Sequence, residues 1–278
     1  MSDAPLELAG VKVRGHSVGG LETWLGLPEL GFCFDIGRAP EASLSTPTVL
    51  FTHAHVDHLG GVASHCASRA LRGMAPPTYV VPPEVVPGLE ALLEVWRGLD
   101  GADLPCRVVG LGPGEELAVK KRLVRPFRAH HFGPAQGYGI WDVREKLRER
   151  YRGLPGERIR ALREAGTAVT RRTETPLVAF TGDSRIDVVE AEEVVRTARL
   201  LILEVTFLDD RVSVASAREK GHVHLDEVIE RAHLFENDAI LMTHFSSRYN
   251  ALQVRGILEE RLPADLASRV TPLLEHFR

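Results

Sequence analysis

A chain of 278 residues with 44% hydrophobic content is long enough to bury a sizeable core. Its formal net charge of −4 gives no global attraction to a polyanion, so any contact with nucleic acid has to rest on a local basic surface. Three cysteines (Cys33, Cys66, Cys106) without C-x-x-C spacing argue against a disulfide framework, the opening MSDAPLELAG lacks the features of a signal peptide, and no apolar stretch approaches the roughly 18 residues of a membrane span. The expectation is one α/β domain over residues 1–278, cytoplasmic, with reduced thiols and no membrane association.

The first half reads as short strands and turns, with apolar GFCFDIG (Gly31 to Gly37) and TVLFTH (Thr48 to His53) each followed by glycine or a polar cluster. A helical stretch follows from Gly60 to Met74, then a strand at Thr78 to Pro82 and a proline-opened helix around Glu84 to Gly98. Two strands flank a Gly-Pro-Gly turn between Arg107 and Arg128, and HHFGPAQGYGI (His130 to Ile140) has the Gly and Pro density of an ordered functional loop. Residues 142–172 are highly charged, with Leu147, Tyr151, Ile159 and Leu162 at helix-like intervals around Leu154 to Gly156, and predict a helical pair with a turn. Strands return at Leu177 to Asp183, Leu200 to Phe207 and Ala239 to Phe245, separated by helices at Asp187 to Thr197 and His224 to Phe235.

Chemistry is concentrated in THAHVDHLGG (Thr52 to Gly61). Three histidines and an aspartate occupy six consecutive positions directly after a buried strand, where a loop can turn them inward together. Imidazole and carboxylate in that density suit zinc, which binds both at about 2.0 to 2.2 Å in near-tetrahedral geometry, although manganese and iron accept similar donors. Gly60 and Gly61 follow at once and permit the close backbone approach of a crowded site. His131, Asp183 and His244 each stand at a strand end or on a Gly-rich loop, where an α/β scaffold gathers its site residues. Only one of the adjacent His130 and His131 can face such a site, because neighbours on an extended segment point to opposite sides. His16, His65, His233 and His276 match no motif and are expected on the surface or on helix faces.

The H-x-H-x-D-H signature is that of the metallo-β-lactamase superfamily, which the chain resembles. HFGPAQGY (His131 to Tyr138), FTGDSR (Phe180 to Arg185), EVTFLDD (Glu204 to Asp210), GHVHLDE (Gly221 to Glu227) and MTHFSSRY (Met242 to Tyr249) are similar to ribonuclease Z, the tRNA 3′-processing endonucleases, in their short plant- and cyanobacterium-like form. The resemblance implies an αββα sandwich and two zinc ions: His53, His55 and His131 on one, Asp57, His58 and His244 on the other, with Asp183 bridging. It also implies that Asp57 accepts a proton from the attacking water while binding metal, and that His222, oriented and charged by Glu204, is the general acid for the departing ribose oxygen.

The implied activity is cleavage of the 3′ trailer from precursor tRNA by a metal-activated hydroxide. The alternative is a dinuclear-zinc hydrolase of small (thio)esters, lactones or phosphodiesters, which shares the H-x-H-x-D-H core but is not expected to carry GHVHLDE and MTHFSSRY together. From Arg144 to Arg172 there are ten basic and four acidic residues, a local excess able to follow a phosphate backbone. Its acids, Glu145, Glu149, Glu157 and Glu164, are spaced to pair with neighbouring arginines. The resemblance further implies a homodimer.

Overall fold

The apolar strands sort their side chains alternately to two faces, as the period of two along a strand requires. In the computed structural model, which describes residues 5–119 and 121–274, Leu200 and Ile202 enter one core cluster while Leu201 and Leu203 enter another. Leu241 likewise separates from Ile240 and Met242, Leu50 from Val49 and Phe51, and Val80 from Tyr79 and Val81. The shared cluster lies between two sheets. The other two lie on their outer faces, where helices cover them, giving the expected αββα layers.

The first sheet runs in the order Leu6–Leu8, Val11–Gly19, Glu22–Leu27, Phe32–Phe34, Thr48–Leu50, Thr78–Val81, Arg107–Gly110, with the short Phe245–Ser246 added to Val11–Gly19. The second runs Val270–Pro272, Ala239–Thr243, Leu200–Glu204, Thr170–Phe180, Gln136–Leu147, Arg122–Arg128, Leu117–Val119. Both are mixed. Phe32–Phe34 through Arg107–Gly110 are parallel in one, and Thr170–Phe180, Leu200–Glu204, Ala239–Thr243 and Val270–Pro272 in the other. Parallel strands release their C-terminal ends at the same edge, and that is where the site residues collect.

The charged segment corrects the sequence reading. Residues 142–172 are not a helical pair. Strand Gln136–Leu147 continues into the segment and pairs antiparallel with Thr170–Phe180 as far as Leu147↔Thr170. Only the end of this ribbon is helical, as a 3-10 turn at Glu149–Tyr151 and an α-helix at Gly156–Glu164. Backbone pairing between two long strands overrides the intervals of Leu147 and Tyr151, and Val143, Thr170, Thr173 and Thr175 suit the pleat. Of the four acids, Glu149 alone takes an arginine, Arg152, among the described residues. Arg158, Arg160, Arg163 and Arg171 stay exposed.

Two histidines expected on the surface or on helix faces are buried: His65, on the inner face of the helix Val62–Leu71, and His16, on the strand Val11–Gly19. His65 bonds the Tyr79 hydroxyl at 2.9 Å from Nδ1 and faces the Ser43 carbonyl at 3.4 Å from Nε2, and His16 pairs with Glu22 at 3.0 Å. Hydrogen bonds and Tyr79 packing make His65 a core histidine, and the Glu22 pairing and Trp24 packing do so for His16, which periodicity alone could not show. His233 is exposed, and His276 lies outside the described residues.

Candidate metal centre

Strand Thr48–Leu50 runs straight into the H-x-H-x-D-H loop, whose last residues start the helix Val56–Leu59 with His55 as its N-cap. The loop is held against the turn after Phe34. Ile36 N donates to His58 O at 2.8 Å, and a Cβ on Gly37 would lie 2.1 Å from the Asp57 carbonyl oxygen. From the second sheet come His131 after Arg122–Arg128, Asp183 after Thr170–Phe180, Glu204 ending its strand, and His244 after Ala239–Thr243. His244 holds a left-handed backbone at φ 62°, a conformation that costs a non-glycine residue of order 1–3 kcal/mol and persists where the surroundings impose it.

All seven residues expected to bind metal come together. Donor atoms of His53, His55, His131 and Asp183 lie within 4.8 Å of one another, as do those of Asp57, His58 and His244. Asp183 joins the two sets with different oxygens. Oδ2 faces His53 Nε2 at 3.8 Å and His131 Nε2 at 3.9 Å, while Oδ1 faces His58 Nε2 at 3.4 Å and His244 Nε2 at 3.3 Å. Asp57 Oδ2 stands 3.6 Å from His58 Nε2 and 3.9 Å from His244 Nε2. Two donors bound at 2.0 to 2.2 Å with a tetrahedral angle between them are about 3.4 Å apart, so these spacings suit cations better than direct hydrogen bonds. Nε2 of His53, His58 and His244 are buried and find no hydrogen-bond partner in the protein, so the donor sets fit metal ions.

Electrostatics favour cations here. Burial would raise the Asp183 carboxyl, but His244, His58 and His53 hold it well below the usual carboxylate range. Asp57 is likewise held low against its burial by His244 and His58. Burial disfavours charge on His58, yet Asp183 and Asp35 outweigh it and raise its pKa, whereas burial and the charge of His58 lower that of His53.

His222 stands beside the cluster, with a donor nitrogen within 4.8 Å of donors on Asp183 and His244. Its Nδ1 is 3.0 Å from Glu204 Oε1. Glu204 is buried and its oxygens are fully used: Oε1 also accepts from Ser184 N and Val223 N, and Oε2 from the Thr206 N–H at 3.0 Å and hydroxyl at 2.7 Å. Burial works against charge on His222, but the Glu204 carboxylate, by charge and hydrogen bond, lifts it to about 9. His224 is a helix cap instead, its Nδ1 accepting from Asp226 N at 3.1 Å. His130 contributes its carbonyl to Arg185 and stays out of the cluster that His131 joins.

Residues 37–245 match the family model described as the beta-lactamase superfamily domain. The chain is 40% identical to the Arabidopsis thaliana tRNase Z TRZ1, over 98% of both chains. It belongs to the tRNase Z family of the metallo-β-lactamase superfamily. A chloroplastic tRNase Z of the same plant is 38% identical over 98% of this chain and 78% of its own length. Among solved structures, the human short-form tRNase Z superposes with a TM-score of 0.61 at 19% identity, covering 94% of this chain and 95% of that one. The Bacillus subtilis metallo-beta-lactamase fold protein YhfI gives 0.64 at 15%, with the same coverage.

Three residues of this tRNase Z chain that support the histidines escaped the sequence reading. Asp35 accepts from Thr52 N and Thr52 Oγ1 at 2.8 and 2.9 Å and bonds His58 Nδ1 at 2.8 Å. Thr52 Oγ1 also lies 3.0 Å from His53 Nδ1, and Thr206 Oγ1 lies 3.0 Å from His244 Nδ1. An acid ending the apolar run GFCFD was the available signal for Asp35, since a buried carboxylate needs partners. Nothing in the sequence singles out the threonines.

Proposed function

We propose that this chain is a zinc-dependent endoribonuclease that removes the 3′ trailer from precursor tRNA. The tRNase Z relatives support the substrate, and the observation that carries the chemistry is the His222–Glu204 pair at 3.0 Å beside two donor sets joined by Asp183. His53, His55 and His131 would hold one zinc, and Asp57, His58 and His244 the other, with one oxygen of Asp183 toward each set. Bound there, two divalent cations supply Lewis acidity toward a phosphoryl oxygen and make water acidic enough to attack near neutral pH.

The remaining steps belong to the protein. Asp57, its carboxylate held in place by Gly20 N at 3.1 Å, accepts a proton from the attacking water. Cleavage that leaves a 3′-hydroxyl on the tRNA and a 5′-phosphate on the trailer breaks the bond between phosphorus and the 3′-oxygen, so the 3′-oxygen is the leaving group. Glu204 engages His222 Nδ1–H, which leaves Nε2–H as the proton to be delivered to that oxygen. With its pKa near 9, His222 carries this proton at neutral pH.

The test is cleavage of a 3′-extended precursor tRNA by zinc-loaded protein, with bis(p-nitrophenyl) phosphate as a second substrate. His222→Ala should slow the tRNA cut by about 10²–10⁴. It should slow the nitrophenyl ester far less, because nitrophenolate departs without a proton. Turnover of the ester with no cut in tRNA would overturn the reading and leave a small-molecule hydrolase.

The same reading places the enzyme in the cytoplasm as a homodimer. Three free cysteines support the compartment, and among the described residues no helix is long and apolar enough to cross a membrane. A solution mass of one chain, 30.6 kDa, would refute the dimer.

A further inference from the structure

A cavity of about 320 Å³ has His131 in its wall, together with Arg128, His130, Arg185, Gln136 and Glu84. Arg128 ends the strand that leads to the His131 loop, and Arg185 stands two residues after Asp183. Arg185 is pinned to that loop, its backbone N and its Nε donating to His130 O at 3.1 and 3.3 Å. Its terminal nitrogens stay free, and the Arg128 side chain makes no hydrogen bond or ion pair among the described residues. Glu84, the one carboxylate in the lining, pairs with neither. Some arginines elsewhere in the chain are used differently: Arg125 takes both Glu116 and Glu174, and Arg231 both Glu190 and Glu230.

Two unneutralised guanidinium groups line one small cavity, where an anion meets positive charge from both. The planar fork of arginine fits a phosphate with two parallel hydrogen bonds. The volume is at the lower end of ligand pockets, which begin near ~300 Å³, so it admits a nucleotide of a single strand and excludes a duplex. His131 belongs both to this wall and to the donor cluster, so the cavity adjoins the place where a scissile phosphate would lie.

We propose that the cavity is a single-stranded RNA subsite in which Arg128 and Arg185 hold a phosphodiester next to the scissile one. This rests on the endonuclease reading and adds to it the residues that position the strand. Phosphate binding of this kind fixes register without reading bases.

The test titrates a fluorescein-labelled, 5′-phosphorylated RNA trinucleotide with metal-loaded protein over a series of salt concentrations, beside cleavage of precursor tRNA. Wild type is compared with Arg128→Ala and with Arg128→Ala/Arg185→Ala. Arg128→Ala breaks no side-chain hydrogen bond or ion pair among the described residues, which guards against misfolding. The double variant should bind at least about tenfold more weakly, and the slope of log affinity against log salt should become shallower by about 0.7 for each phosphate that is no longer neutralised. KM for precursor tRNA should rise in parallel. Equal affinity and slope in wild type and both variants, or no binding of the trinucleotide to wild type, would overturn the subsite. If the variants bind more weakly while wild type cuts no precursor tRNA, the endonuclease reading falls and the subsite stands. If precursor tRNA is cut with KM unchanged in both variants, the reverse holds.

Discussion

Replacing Asp35 by Asn keeps the shape of the side chain and removes one acceptor, which makes the outcome calculable. Oδ1 accepts from Thr52 N–H at 2.8 Å, and Oδ2 meets the Thr52 hydroxyl at 2.9 Å and His58 Nδ1 at 2.8 Å. With the amide oxygen kept on Thr52 N–H, the NH2 group faces His58 Nδ1, which must then accept. The ring proton moves to Nε2, the atom that faces Asp57 and Asp183, and a protonated nitrogen offers a metal no lone pair. With the amide flipped, two donors face each other and the buried Thr52 N–H is left without its acceptor, at about 1–3 kcal/mol. Either arrangement weakens the donor set of Asp57, His58 and His244. Loss of such a supporting partner typically costs 10–100-fold in metal affinity, or about 1.4–2.7 kcal/mol. Metal retained per chain during dialysis against graded chelator, read by elemental mass spectrometry, measures this directly. An Asp35→Asn protein that retains metal at wild-type affinity refutes the tautomer argument.

Gly37→Ala should act on the same loop by sterics, because a Cβ there would lie 2.1 Å from the Asp57 carbonyl oxygen and 2.7 Å from its carbon, both backbone atoms. The forced shift should cost about 1–3 kcal/mol and lower metal content, seen as a falling urea midpoint; an unchanged midpoint and metal content would rule out the close approach. His65 supplies a pH dependence: burial lowers its folded pKa to about 4 from 6.5, so below 6.5 the unfolded chain binds a proton that the folded chain refuses. Stability contributed by the neutral ring is therefore full above pH 6.5, falls by roughly 3 kcal/mol as pH drops toward 4, and is flat below that. Melting curves of chelator-treated wild type and His65→Gln over this range should diverge in their acid limbs, and parallel curves would refute the assignment.

The candidate ligands near His53 were legible because a metal site needs a dense set of a few residue types, and six positions from His53 to His58 hold four of them. The distant candidates, His131, Asp183 and His244, were legible through the family resemblance, with which their places at strand ends or on Gly-rich loops agree. The ribbon at residues 142–172 was misread because charge and sparse apolar residues are compatible with an exposed helix and with an exposed β-ribbon alike. What decides between them is the partner strand, and Thr170–Phe180 lies over twenty residues away from Gln136–Leu147 in sequence. Asp35 shows the opposite limit. Its character was visible, but its partners, Thr52 and His58, are set by which strands lie side by side.

The two halves of the site are built alike, and this bears on how they hold together. From the first sheet, a buried carboxylate, Asp35, and a threonine, Thr52, fix His53 and His58; from the second, Glu204 and Thr206 fix His222 and His244. Each sheet positions its own histidines and each donor set draws on both sheets, so the geometry within each set depends on how the sheets meet. At this edge they are joined directly. Gln136 N donates to Thr52 O at 2.9 Å, the Tyr138 hydroxyl donates to Phe51 O at 2.7 Å, and Gly182 packs on Thr52 where a Cβ would lie 2.7 Å from its methyl. The chain itself also crosses, since Phe245–Ser246 leaves the second sheet just after His244 and pairs with Val18 and Gly19 of the first. Asp183 can face both donor sets because these ties hold the sheets in register. A substitution in the inter-sheet core that slides one sheet on the other thus opens both donor sets at once, moving His131, Asp183 and His244 together against His53, His55, Asp57 and His58.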